Sequence, residues 1–282
     1  MTFPIPSRRV RDTAEFARDE RKRQVSPGSF FFSQGKSQVL AAQYFSDDRL
    51  AANALTGVAL KHRHKIHMAL YGQLLAAFEY FLKDFIATAI DATTLLDEKL
   101  KKEKWLSIDV ERVLANRSGM ATTGATLVHS TLGWHSSDQV NARYQSLFGR
   151  RAFSERERGT LDKLWILRHT VAHNAGVAIH WDARRLDDEM LADHAVDIDE
   201  EFINATFSFL SPIAKNICLN CGSNILSMYF QPLASRGPDY IADKATYTRL
   251  KHLSQYVESR SQEMPEISAE IYEGDFELYS AQ

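Results

Sequence analysis

The chain has 282 residues, 44% of them hydrophobic and 25% charged, the make-up of a globular protein with one generous domain or two small ones. A net charge of −2 excludes a globally basic nucleic-acid-binding surface, so contact with nucleic acid would have to come from a local patch. Two cysteines, Cys218 and Cys221, exclude a disulfide framework, and an N-terminus without an apolar signal core adds to the expectation of a cytoplasmic protein.

Residues 1–36 carry eight basic and four acidic side chains and end in SPGSFFFSQGK. They read as a flexible basic arm whose Phe30–Phe32 dock on the body. From Ser46 to Thr93 the pattern is helical, with Ser46–Asp47–Asp48 as capping material. Ile66, Leu70, Leu74, Phe78, Phe81, Leu82 and Phe85 fall at helical spacing and mark a core helix. Gln73, Glu79, Lys83 and Asp84 interrupt its most apolar run, so it is not a membrane span. Glu79 lies at the edge of this stripe, where it either pairs with Lys83 on the surface or reaches toward Arg168. Upstream, KHRHKIH places Lys61, Arg63 and Lys65 on a basic segment, either a solvated face or a patch for RNA phosphates. His64 and His67 have a spacing that could share a metal, but no acidic or cysteine ligand is near them in sequence.

Residues 96–136 are less regular, with a short helix expected at Asp109–Asn116 and loop and small-residue packing up to Asp138. A helix follows over Ser137–Phe148, stopped by Gly149. After the central helix described below, residues 177–197 read as a connector. A long helix is expected over Ile198–Tyr229, kinked or broken at Pro212, with the cysteine pair on its core face as packing. A last helix is predicted at Lys244–Ser259, and residues 251–282 hold seven acids against two basic groups. The reading is all-α: an antiparallel bundle of four to five helices over residues 37–232, with the N-terminal arm and a C-terminal helix and acidic tail (233–282) as extensions.

The central stretch is Ser154–Gly176, read as one amphipathic helix. Leu161, Leu164, Trp165, Val171, Ala172 and Ala175 mark the expected buried face, and Arg168 stands within it. A guanidinium is rarely buried without an anion, so its place there asks for a reason. His169 follows it directly, and His173 and Asn174 come just before Gly176, where the helix should stop. The Arg-x4-His spacing is weak by itself; its weight comes from the apolar turn before it, the Asn and Gly after it, and the long helices on either side.

Arg168, His169, His173, Asn174 and Gly176, with Glu79 as a softer match, resemble the HEPN superfamily, in particular its RiboL-PSP-like branch, over roughly residues 40–232. The sequence departs from that pattern in having His169 where Asn or Asp is usual and in lacking a Tyr two positions after His173, which points away from the branch that pairs with a nucleotidyltransferase antitoxin. The resemblance implies a metal-independent endoribonuclease without cofactor, working as a homodimer in a toxin–antitoxin, anti-phage or stress response, with an antitoxin or regulatory protein as a further partner. It implies catalytic roles for Arg168 and His173, and positioning roles for His169, Asn174 and Glu79.

The residue types suit that chemistry. Cleavage of RNA by its own 2′-OH needs a base, an acid and a cation near the phosphate, which imidazole and guanidinium can supply. Residues five apart on a helix lie about 140° from each other, so bringing Arg168 and His173 to one atom calls for two chains. Three other readings stay open: a non-catalytic HEPN module that binds RNA or protein, an interface arginine paired with a carboxylate beside a helix-capping histidine, and a metal site. For the metal site His169 and His173 are four apart, but Thr170 stands where a zinc protease has Glu.

Overall fold

The computed structural model describes residues 26–46, 57–106, 122–129, 131–234 and 244–256; among them the regular structure is helical, with a single isolated antiparallel bridge between Val177 and Ala195. The basic residues of the N-terminal arm before Ser26, the short helix expected at Asp109–Asn116 and the acidic tail beyond Tyr256 lie outside the described residues. None of the described helices is long and apolar enough to cross a membrane.

Among the described residues ten α-helices follow one another: α1 (Pro27–Ser46), α2 (Gly57–Ala92), α3 (Asp97–Leu100), α4 (Thr123–Val128), α5 (Ser137–Phe148), α6 (Glu155–His173), α7 (His180–Arg185), α8 (Glu200–Ile217), α9 (Ser223–Ala234) and α10 (Lys244–Ser254). The 36-residue α2 is the hub: α1, α4, α6, α8 and α10 all touch it. Its apolar stripe explains why, since Leu74, Leu75, Phe78, Phe81, Leu82, Phe85 and Ile86 are fully buried. Ser46, expected as capping material for this helix, is the last residue of α1, and Asp47 and Asp48 lie outside the described residues.

α1 corrects the expected arm boundary at residue 36. Ser26 accepts a hydrogen bond from Ser29 N at 3.1 Å and Pro27 takes the first helical position, so the SPGS run is a helix start. Phe31 is buried against Phe78, Phe81 and Phe207, so the expected docking of Phe30–Phe32 on the body is present, within a helix. Gly28 and Gly35, which look like breakers in sequence, let α1 lie close on α8. A Cβ at Gly28 would stand 2.7 Å from Cys218 Sγ, and one at Gly35 would fall on the Phe207 ring.

The boundary at residue 232 is also crossed by the core, because Leu250 and Leu253 of α10 are fully buried and Tyr256 meets Ser211 Oγ at 2.9 Å. Asp199 caps α8 by accepting from Phe202 N, and the helix passes through the exposed Pro212. The break comes later, where Cys218–Gly222 widens into a π-turn before α9. Cys218 and Cys221 are buried in that turn, and burial pushes both thiols up.

Two glycine substitutions separate close approach from plain helix propensity. Gly35→Ala should destabilise the protein by about 1–3 kcal/mol through overpacking against Phe207. Gly159→Ala, in the exposed first half of α6 with nothing near its added methyl, should be neutral or stabilising by up to about 1 kcal/mol. Urea or thermal unfolding of the two variants measures the difference.

Candidate functional site

α6 starts as the sequence suggests. The Glu157 carboxylate accepts from the Ser154 backbone N–H at 2.6 Å and from its hydroxyl at 2.7 Å, and Glu155 adds a second acid in the first turn. Leu161, Leu164, Trp165 and Ile166 are buried, and Tyr71 of α2 donates its hydroxyl to the Leu164 carbonyl at 2.8 Å. The last turn differs from expectation. Ala172 and Ala175 are exposed and Val171 is half-buried, while Thr170 is fully buried. The reason is polar: Thr170 Oγ1 donates at 3.2 Å to Asp182, a carboxylate of α7 that is 3% exposed.

Asn174 serves the same anchor. Its amide donates to Asp182 Oδ2 at 3.3 Å, and its own N–H bonds the Thr170 carbonyl. Ala175 and Gly176 then take φ of 53° and 83°, which ends the helix in a left-handed turn. Asn174 thus fixes the helix end against α7.

Arg168 projects from α6 toward α2 and is 26% exposed. Its Nη2 lies 4.0 Å from Glu79 Oε2, and its Nη1 lies 3.1 Å from His135 Nε2. Glu79 is 14% exposed and is the centre of the cluster. Lys83 Nζ donates to Oε1 at 2.7 Å, and His135 Nε2 stands 2.6 Å from Oε2. Both alternatives for Glu79 are therefore realised at once, one on each oxygen. Burial acts to raise its pKa, but hydrogen bonds from His135 and Lys83, with their charges, outweigh this and lower it to about 2.

His135 was not among the residues singled out from sequence. It sits in the loop before α5, and the loop is held from both sides. Trp134 is buried and meets Trp105 edge to face, and the Arg143 guanidinium lies over both rings, 4.5 Å from that of Trp134 and 4.7 Å from that of Trp105. Arg143 also donates to the Leu132 carbonyl at 2.7 Å. On the other side Ser137 N and Oγ bond the Asp162 carboxylate of α6 at 3.1 and 2.9 Å. The available signal was a histidine between a tryptophan and a serine-rich helix cap.

The structure does not bring Arg168 and His173 together within one chain. His173 is exposed and lies against His169, one turn back, with ring centroids 4.7 Å apart. Nor are Arg63 and Lys65 at the Arg168 cluster, and the Lys61 side chain lies outside what is described. Lys65 and Glu79 are fourteen residues apart on one helix, about 21 Å along its axis. Arg63 is half-buried and Lys65 exposed. His67 is buried, which lowers its pKa, and His64 faces Asp197 at 3.7 Å, so these two do not converge on a metal. Among the described residues no three His, Cys, Asp or Glu side chains are grouped to hold a metal ion. An open cleft of 510 Å³ lies elsewhere, lined by Arg150, Arg151, Asn220, Ser223, Asn224 and Ser227, and includes none of the site residues.

Comparison with protein-family models, with curated proteins and with solved structures finds no match to this chain.

The half-buried carboxylate has a measurable signature. An unfolded Glu79 takes up a proton as the pH falls through its ordinary 4.5, while the folded one does so only near 2. Its contribution is complete above that ordinary value and is lost on descent toward the lower one, about 3 kcal/mol in all. Glu79→Gln should shrink by about that amount the stability difference between neutral and acid pH, as read by urea melts at both.

Proposed function

We propose that this chain is a metal-independent endoribonuclease of the HEPN type, acting on RNA as a homodimer. The observation that carries the reading is the guanidinium of Arg168, held at the surface beside an ionised Glu79 and an imidazole, on the same helix that ends in His169 and His173. A fixed fork of donors suits a phosphate oxygen, and imidazoles suit proton transfer near neutral pH.

In this reading the 2′-OH of a ribose attacks the adjacent phosphorus, the 5′-oxygen leaves, and a 2′,3′-cyclic phosphate remains. Arg168 stabilises the charge that gathers on the phosphate, and His173 transfers a proton. The two side chains diverge on one helix, so His173 of a second copy completes the site, and a two-fold axis along α6 would build two such sites at once. Asn174 supports the arrangement through Asp182 by fixing where the helix ends, and His169 steadies the His173 ring. The exposed Lys65 with Arg63 offers phosphate contacts farther along the RNA. A role in a toxin–antitoxin or anti-phage response, with a restraining partner protein, belongs to the same proposal.

A non-catalytic module that binds RNA or a protein is the competing reading, favoured by the fact that Arg168 already has an anion within 4.0 Å. Incubating the purified full chain with tRNA and mRNA in EDTA decides between them. The nuclease cuts without metal, and Arg168→Ala or His173→Ala lowers cleavage by about 100-fold or more without changing the sedimentation of the dimer. A wild-type chain that binds RNA and leaves it intact overturns the enzyme in favour of the module.

A further inference from the structure

We infer that His135 is the general base of this site and that Glu79 orients it, an assignment that rests on the nuclease reading above. The argument begins with one nitrogen. His135 Nε2 lies 2.6 Å from Glu79 Oε2 and 3.1 Å from Arg168 Nη1. It cannot donate to the carboxylate and accept from the guanidinium at the same time. The shorter contact, to a half-buried carboxylate that Lys83 also binds, places the proton on Nε2. Nδ1 then carries the lone pair. It has no hydrogen bond among the described residues, and the side chain is 49% exposed, so it is open to a ligand.

Glu79 is fitted to support this group and not to replace it. With both oxygens engaged by Lys83 and His135 it stays an anion behind the ring although it is largely out of water, fixes the tautomer and stabilises the imidazolium that forms. Arg168 keeps its donors for substrate, since Nη1 faces a protonated nitrogen and Nη2 is beyond hydrogen-bond distance of Glu79. The Trp105–Arg143–Trp134 cluster and the Ser137–Asp162 contacts hold the loop that presents the ring. His173 has no carboxylate partner among the described residues and lies on the open face of α6.

The step then balances with three groups. The 2′-OH gives its proton to His135 Nδ1 as its oxygen forms the bond to phosphorus. The P–O5′ bond breaks with its electron pair on the 5′-oxygen, which takes a proton from the imidazolium of His173 in the second copy. Arg168 neutralises the phosphate oxygens between them. The products are a 2′,3′-cyclic phosphate and a 5′-hydroxyl, and the two imidazoles return to their starting states by exchange with water.

A substrate with an activated leaving group tells the base from the acid. The p-nitrophenyl ester of uridine 3′-phosphate loses p-nitrophenolate without help from an acid but still needs its 2′-OH deprotonated. On RNA, His135→Ala and His173→Ala should each lose about 100-fold or more in kcat. On the aryl ester His173→Ala should recover to within about tenfold of wild type, while His135→Ala stays at its low rate and is rescued by added imidazole. His135→Ala that cleaves RNA like the wild type, or that alone recovers on the aryl ester, overturns the assignment. A wild-type chain inactive on both substrates instead brings down the nuclease reading itself, so the two failures are distinguishable.

Discussion

A carboxylate removed from water is costly unless its lone pairs are met, and Glu79 is the point on which the site depends. It lies on the hub helix, in the last exposed fringe of an otherwise buried stripe, and three elements supply its neighbours. Lys83 comes from the same helix, His135 from the loop before α5, and Arg168 from α6. The anion therefore draws three cationic or protonatable groups from α2, α6 and the loop before α5 to one place. Without it, Lys83, His135 and Arg168 would face one another with nothing to reconcile them.

Supporting this carboxylate falls to groups that make no contact with it. Arg143 has only one hydrogen-bonding direction satisfied, by the Leu132 carbonyl, and its Nη1 is buried without a partner. Its guanidinium is nevertheless stabilised by two indole faces, and burial lowers its pKa to about 10, still far above neutrality. This cluster fixes Trp134, and through one peptide bond it fixes His135. Asp182 has the matching role at the other end of α6, where Thr170 and Asn174 converge on one carboxylate oxygen and hold the helix end against α7. Charge on one side and polar anchoring on the other leave α6 little freedom to slide.

Much of this was legible in the sequence, for reasons that can be named. The stripe of α2 and the start of α6 follow from helical period and from a serine followed three residues later by a glutamate, both local signals. Glu79 was visible as a polar residue at the edge of a buried face, although neither of its two expected partners had to exclude the other. What escaped was non-local. His135 gains meaning only when a loop folds back on α2, fifty-six residues earlier in the chain. Asp182 looked like part of a connector until Thr170 turned inward to meet it. Gly28 and Gly35 fall in the segment expected to be a flexible arm, because sequence does not show the Phe207 ring and Cys218 packed against them. The π-turn at Cys218–Gly222 likewise has no local sequence signal, whereas Pro212, the residue that suggested a kink or break, lies inside α8 as the structure assigns it.

The aromatic clamp on Arg143 also shapes how this protein will look to light. Of the four tryptophans, Trp105 and Trp134 share that clamp, Trp165 is buried in the core and Trp181 is 65% exposed. One of these two indoles, Trp134, is therefore the chain neighbour of His135, and both lie against the same cation. Ordinary ultraviolet emission, without any attached dye, would carry a report from the loop beside the site separately from the core and from the solvent-facing indole.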